Sequence, residues 1–591
     1  MALPNRRGSY SGHVLDARLH RAALIVLLIP ALIVAAFSLR PPDEARTSSL
    51  APDAFDLAAA RADLRTLAAI PNRDPGSSGD RAAAQFVAGR LRAAGFRVAV
   101  QTAESQTVAG RRLTTTVVAT RTGFSQRAVV LAADRSSPGT GEAALTGTAA
   151  LLEAARVLGG RTLLNAVEVV STGAGPGGAL AGFDPGSTPV IAALVLGDLG
   201  SGPLKTPFVI PWAEVRGTAA PLAYERSVAA AVRSETGFNP NQPSSLERLA
   251  RLMLPLTTTD QGQLVADGFP AVTLSSVAEH GTPVAGADLR RLASFGRAAL
   301  RVAGILDGAP AAWPGRNSAA IPVRDRILPE WALRLMGVAG ITAALVAGID
   351  GLARARRRGV AVIRPGLWLI AGWPPFLIGW LVLLLAAAVG LLGNLPESTP
   401  PVGTVKLVWP AVVGLFLIVG GLWFGLRRPL ARPFSEAGDP GPGVASALML
   451  LGTAATALIW AFNPLTAILL VPFINVAPWL CDPQRGPRRR AAVLLLCLSL
   501  LPLVVAVIAL GFALGGGPLQ LVWLLMLAFA SGSVGTAGGL IVTLVLALVF
   551  GVLVLVLRPR VWSGPEVTTR GPITYAGPGS LGGTKSAVYR G

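Results

Sequence analysis

Between residues 50 and 312 the chain has one histidine, His280, and no cysteine, so chemistry in this stretch rests on that imidazole and on carboxylates. The other histidines, His13 and His20, precede residue 22, and Cys481 and Cys497 lie far downstream, which excludes a disulfide framework and a cysteine zinc site here. Asp134, Asp198 and Asp260 stand at or near the ends of apolar runs, with Glu142 shortly after the first. A catalytic zinc needs about three protein ligands, an open position and a base for its water. Asp198 and His280 supply too few; Asp134 or Glu142 could complete an oxygen-rich site for a single metal. Each residue has a structural reading beside the functional one: a histidine satisfied in a core or loop, and a strand-end aspartate that caps its turn. His280 with Asp198 or Asp260 would also serve a serine triad, yet no Gly-x-Ser-x-Gly elbow occurs in this stretch. Gly173-Ala174-Gly175-Pro176-Gly177-Gly178 fits Gly-x-Gly-x-x-Gly, but a dinucleotide site requires a helix to open on that loop. Only Ala179 to Phe183 intervene before Asp184-Pro185-Gly186, so the run reads as a plain glycine loop.

The elements that position these residues follow from periodicity. Apolar or β-branched runs at Thr114 to Ala119, Ala128 to Ala132, Ala166 to Thr172, Val190 to Leu196 and Ala271 to Ser275 read as buried strands. Amphipathic stretches at Asp56 to Ala69, Asp80 to Ala94, Thr148 to Leu158 and Leu222 to Thr236 read as helices. Continuous strands alternating with helices predict an α/β domain over 50–312 with a mostly parallel sheet covered on both faces.

The remainder is membrane-like. The chain has 591 residues, 52% hydrophobic and only 14% charged, against about 25% charged in ordinary globular proteins. A formal charge of +20 would suit a nucleic-acid binder, but the arginines cluster beside apolar runs, so nucleic acid is not an expected partner and the lipid bilayer is. The scarcity of lysine beside abundant Ala, Gly and Arg points to GC-rich codons and a bacterial source. A basic stub over 1–21 precedes the apolar run 22–39, read as a retained anchor, with a cleaved signal peptide as the alternative. The membrane part over 331–557 shows spans at Trp331 to Ile349, Leu367 to Leu392, Val408 to Leu426, Ala445 to Phe462, Leu465 to Leu480, Ala491 to Leu514 and Leu540 to Leu557. Pro518 to Ala530 is short for a crossing, so eight spans are expected, with nine as the alternative. Arginines at 354–358, 427–428, 485–490 and 558–560 then share the cytoplasmic side and the α/β domain is extracytoplasmic. The tail 561–591 is rich in Gly, Ser and Thr and is expected to be disordered. No ionisable residue falls in the middle of the seven later spans, which argues against a pump or coupled transporter.

Several segments in order resemble the M28 family of zinc aminopeptidases. Arg73-Asp74-Pro75-Gly76-Ser77 resembles its early turn, and Val129 to Asp134 the strand that ends in its first ligand motif. Gly147 to Glu153 resembles the helix after its bridging aspartate, Leu196-Gly197-Asp198-Leu199-Gly200 a ligand-bearing strand end, and His280-Gly281-Thr282-Pro283 the final histidine motif. The resemblance implies an aminopeptidase-like fold and a two-zinc site, yet the family's first histidine falls on Ala132 or Ala133 and its bridging aspartate on Ala143 or Ala144. Its two glutamates fall within Gly173-Ala174-Gly175, so the glycine loop is expected to fill the space of those absent side chains. Only Asp198 and His280 remain in register, so no cofactor is expected, with zinc as the alternative. The anchor, peptidase-like domain and further spans are similar in arrangement to the peptidase-like subunit of the eukaryotic GPI transamidase. That likeness implies a non-catalytic role: a pseudoenzyme that holds a peptide, a lipidated protein or a partner subunit at the membrane. A membrane-anchored metal aminopeptidase with rearranged ligands is the alternative.

Overall fold

The computed structural model describes residues 14–48, 52–107, 110–136, 141–174, 180, 188–201, 207–214, 216–279, 286–309, 313, 316–392, 407–435, 439–482, 487–514, 517–530 and 534–558. After an N-terminal helix α1 (Ala17–Phe37), the α/β domain opens with α2 (Leu57–Ala69) and α3 (Ser78–Ala93). There follow β1 (Arg97–Thr107), β2 (Gly110–Arg121), β3 (Ala128–Asp134), α4 (Thr146–Gly159), β4 (Ala166–Thr172), β5 (Val190–Leu196) and β6 (Phe208–Ile210). The domain closes with α5 (Leu222–Thr236), α6 (Ser245–Met253), α7 (Gln261–Ala266), β7 (Ala271–Ser275) and α8 (Leu289–Asp307). The strands form one sheet in the order β1-β2-β4-β3-β5-β7-β6. Its four central strands, β4, β3, β5 and β7, are mutually parallel, while the β1–β2 hairpin and the edge strand β6 pair antiparallel. This is the α/β class that the alternating runs imply. The edges differ: β1 and β6 lie outside the expected strands, and β2 starts before Thr114. Arg97 to Ser105 carries few large apolar residues and is mostly exposed, so a sheet edge left no buried run to detect.

Strand alternation separates two cores. Val129, Leu131 and Ala133 of β3 with Ala192, Leu194 and Leu196 of β5 pack against Leu64, Val87, Leu151, Phe295 and Leu300 of the helices on one face. Val130 and Ala132 with Ala193 and Val195 face the other side, where Leu264 and Val265 of α7 cover them. Period-two placement of apolar residues on both faces is what a central parallel strand requires.

A small hairpin, β8 (Ile321–Val323) and β9 (Arg326–Leu328), leads into the helical bundle. The bundle comprises α9 (Glu330–Arg357), α10 (Ile363–Ile370), α11 (Trp373–Ala388), α12 (Trp409–Ala431) and α13 (Val444–Phe462). It continues with α14 (Pro464–Ile468), α15 (Val471–Leu480), α16 (Arg489–Ala513), α17 (Pro518–Ala530) and α18 (Gly535–Leu557). Among the described residues seven helices are long and apolar enough to cross a membrane: α1, α9, the continuous pair Ile363–Ala388, Trp409–Phe434, α13, α16 and α18. The expected span over Leu465 to Leu480 is built from two short helices, α14 and α15, in succession. Pro472, in the first turn of α15, has no amide hydrogen to donate back across the break, and the Asn463 side chain caps α14 by accepting from the Leu465 amide at 3.0 Å.

Helix α1 lies along α9. His20 is buried against α15, with Nε2 2.8 Å from Asn475 Oδ1 and Nδ1 accepting from Trp479 Nε1 at 2.9 Å. The α/β domain seats on the bundle through α6, which packs on α14 and α16. Ile210, Trp212, Leu252 and Met253 share one core with Leu333, Leu465, Leu469 and Ala506.

Candidate functional site

In an open α/β sheet, ligands bind beyond the carboxyl ends of the parallel strands, where the connections diverge to opposite sides. Here the chain leaves β3 toward β4 on one side and leaves β5 toward β6 and β7 on the other. Asp134 is the last residue of β3, and Asp198 lies two residues beyond β5. The sheet therefore brings two of the expected residues to the two strands that flank the divergence.

The first turn of α4 fixes both strand ends. Thr148 Oγ1 donates to the Asp134 carbonyl at 2.9 Å, and Thr146 Oγ1 accepts from the Leu199 amide at 2.9 Å. Gly147 allows this approach, because a Cβ there would overlap the carbonyl oxygens of Leu196 and Gly197. The sequence matched Gly147 to a family helix, but its role here is to let helix and strand backbones touch.

The two aspartates do not converge on one centre. Alternation along β3 places Asp134 on the side of Val130 and Ala132, the face covered by α7, and Asp260 immediately precedes α7. Asp134 accepts from the Ser136 amide at 2.9 Å and from the Ser136 hydroxyl at 2.8 Å. Its side chain is half-buried at the surface but closely surrounded by protein, and burial first, then the Asp260 carboxylate, hold its carboxyl well above the usual carboxylate range. Asp198 turns back on its own loop, with Oδ1 accepting from the amides of Gly200 and Ser201 at 2.8 and 2.9 Å. Its Oδ2 is buried without a hydrogen-bond partner, and burial raises the Asp198 carboxyl against the pull of its donors. Glu142 is exposed at the start of a 3-10 turn. His280 lies outside the described residues. Its predecessor Glu279 is buried, ion-paired with Arg251 and hydrogen-bonded to Thr257; Thr258 Oγ1 donates to its carbonyl at 3.0 Å.

The glycine run also differs from its reading as a filler for absent side chains. A Cβ at Gly173 would overlap Asp80 Oδ1 and lie 2.8 Å from Arg135 Nη2. Arg135 and Asp80 form an ion pair at 2.8 Å with both side chains fully buried. Arg135 Nη1 donates to the Ser171 carbonyl at 2.7 Å and Nη2 to the Thr115 carbonyl. The space at Gly173 is thus already filled by an internal salt bridge, and no longer side chain fits there. Sequence reasoning missed this pair because Asp80 belongs to the start of α3, remote in the chain from β3.

Of the expected metal-site residues, Asp134, Asp198 and Glu142 lie among the described residues and His280 does not. Among the described residues no group of three His, Cys, Asp or Glu side chains could hold a metal ion. Carboxylates by themselves suit harder cations, and a zinc site would need the His280 imidazole beside them.

No family model and no curated protein matches the chain. Among solved structures it is similar to the Legionella pneumophila LapA aminopeptidase, at 12% identity over 46% of this chain and 78% of that one, with a TM-score of 0.36. A Zn-dependent exopeptidase from Parabacteroides distasonis gives 17% identity over 43% of this chain and 99% of its own, with a TM-score of 0.33. Porphyromonas gingivalis glutaminyl cyclase gives 20% identity over 42% and 98%, with a TM-score of 0.31. The α/β assignment of this chain rests on its own strand order and two-faced core.

Proposed function

We propose that the protein is a membrane-anchored, peptidase-like pseudoenzyme whose α/β domain holds a peptide, a lipidated protein or a partner subunit at the outer face of the membrane. The observation that carries this reading is the buried Arg135–Asp80 pair, which fills the space at Gly173, one of the three positions on which the resemblance's two glutamates fall. Buried alanines at 132, 133 and 143 support it, since none offers a ligand or a base. The arginine-rich ends of the spans support the outward placement of the domain.

The test uses the full chain purified in detergent. Zinc content should stay well below one ion per chain, and aminoacyl substrates should not be hydrolysed above background. Two zinc ions per chain with turnover that a chelator abolishes would overturn the reading.

A second reading, a single cation at Asp198, draws on its buried Oδ2 without a partner. A ligand bound only to the folded state raises the melting temperature by mass action. Melting with chelator, zinc, calcium or magnesium is therefore expected to show little change; a large, saturable rise that His280→Ala or Asp198→Asn removes would favour the metal site.

A further inference from the structure

We propose that Arg427 and Arg558, set around the ring of Trp368, form a binding site for a phosphate-bearing anion at one end of the helical bundle. Arg427 lies in the last part of α12 and is only 7% exposed. Its guanidinium carbon is 4.4 Å from the ring centre of Trp368 and 4.8 Å from that of Trp423. The guanidinium of Arg558, immediately after α18, is 5.4 Å from the same Trp368 ring. Two cations thus converge on one buried indole.

The rings do not satisfy the hydrogen-bonding capacity of Arg427. Its Nε and Nη2 are buried and have no hydrogen-bond partner. Buried arginine donors are ordinarily paired, because a lost partner leaves the desolvation of a charged group uncompensated. A guanidinium edge presents parallel N–H donors that match two oxygens of a phosphate, and a second cation nearby favours an anion over a neutral acceptor. The aromatic frame is rigid: Trp423 packs against Phe376 and Phe550 with ring centres 5.4 and 5.5 Å apart. Both arginines stand at span ends, the depth of lipid phosphates, and basic pockets between spans bind anionic headgroups. The same chemistry would take a lipid phosphodiester or free phosphate.

The experiment follows the melting of the full chain in neutral detergent as phosphatidylglycerol, phosphatidylcholine or inorganic phosphate is added. A saturable rise with phosphatidylglycerol and none with phosphatidylcholine is expected. A rise with phosphatidylglycerol alone assigns a lipid headgroup, and one that inorganic phosphate reproduces assigns the free anion. Arg427→Gln should raise the half-saturating concentration about tenfold, the scale of one charge-assisted bidentate contact. Arg428→Gln removes the same charge from an exposed neighbour and should change it little. Equal losses in the two variants, or no rise with either anion in the unmodified protein, would overturn the proposal. Should Arg427→Gln fail to fold, native mass spectrometry of the unmodified protein decides: co-purified anionic lipid or bound phosphate is expected, and its absence counts against the site.

Discussion

At Gly173 the methyl group of an alanine would meet Asp80 and Arg135, neither of which has free space to retreat. Gly173→Ala is expected to destabilise the folded chain by about 1–3 kcal/mol through overpacking. Asp80→Asn should cost more, about 3–5 kcal/mol, because it leaves the Arg135 charge buried without its counterion; urea midpoints of the two variants give the comparison, and a neutral Asp80→Asn would show that the pair is not structural. The raised carboxyl of Asp134 has a pH signature. Unfolded, it loses its proton near 3.8; folded, it holds the proton to higher pH, so the folded state binds more protons as pH rises between the two values. Stability should therefore fall as pH is raised through that window, and Asp134→Asn should flatten the slope. Asp198 contributes in the same direction, so some slope remains in the variant. An unchanged slope would place Asp134 in an ordinary, solvated setting.

Among the elements, α1 is tied to the bundle at two levels. Asp16 pairs with Arg354 at 2.8 Å, and His20 joins Asn475 and Trp479. Asn475 also donates to the carbonyls of Gly340 and Val471, at 3.2 and 2.8 Å, so one side chain links α1, α9 and the broken α15. Asn475→Leu is expected to cost about 1–2 kcal/mol, the scale of hydrogen bonds between membrane helices. A refolding titration in mixed micelles measures it, and no change would show that apolar packing alone holds α1. The orientation is tested by thiol labelling of intact cells in a background lacking Cys481 and Cys497. A cysteine at Ser105 should react with an impermeant reagent and one at Gly359 should not; the reverse pattern would invert the proposed topology.

For the whole molecule, the junction between the α/β domain and the bundle is a shared core. Arg251 of α6 donates to the carbonyl of Ala513 at the end of α16 at 3.2 Å and pairs with Glu279, next to His280. Asn463 and Thr466 of the bundle donate to the carbonyls of Leu252 and Met253, at 3.3 and 2.6 Å. Excising residues 50–312 would expose Ile210, Leu252 and Met253, an apolar patch of the kind that drives association. The excised domain should aggregate or melt well below the intact protein in a light-scattering ramp. A monodisperse domain of undiminished stability would show that the two parts are independent.

The single histidine of residues 50–312, the apolar runs and the arginine clusters were legible in the sequence because composition and periodicity are local properties. They determined the α/β class with a parallel centre, the long apolar helices of the bundle and the scarcity of histidine and cysteine in residues 50–312. The break within Pro464–Leu480 was written in its prolines, yet mean apolarity concealed it. Tertiary structure alone decided which acids meet. Asp134 faces the side of Asp260, and Asp198 is absorbed by its own turn, because a strand sends successive residues to opposite faces and its neighbours come from remote segments. The same holds for Arg135 with Asp80 and for Arg427 with Trp368 and Arg558: each grouping joins elements far apart in the chain, and no local pattern records which side chains a packed interior will leave paired or unpaired.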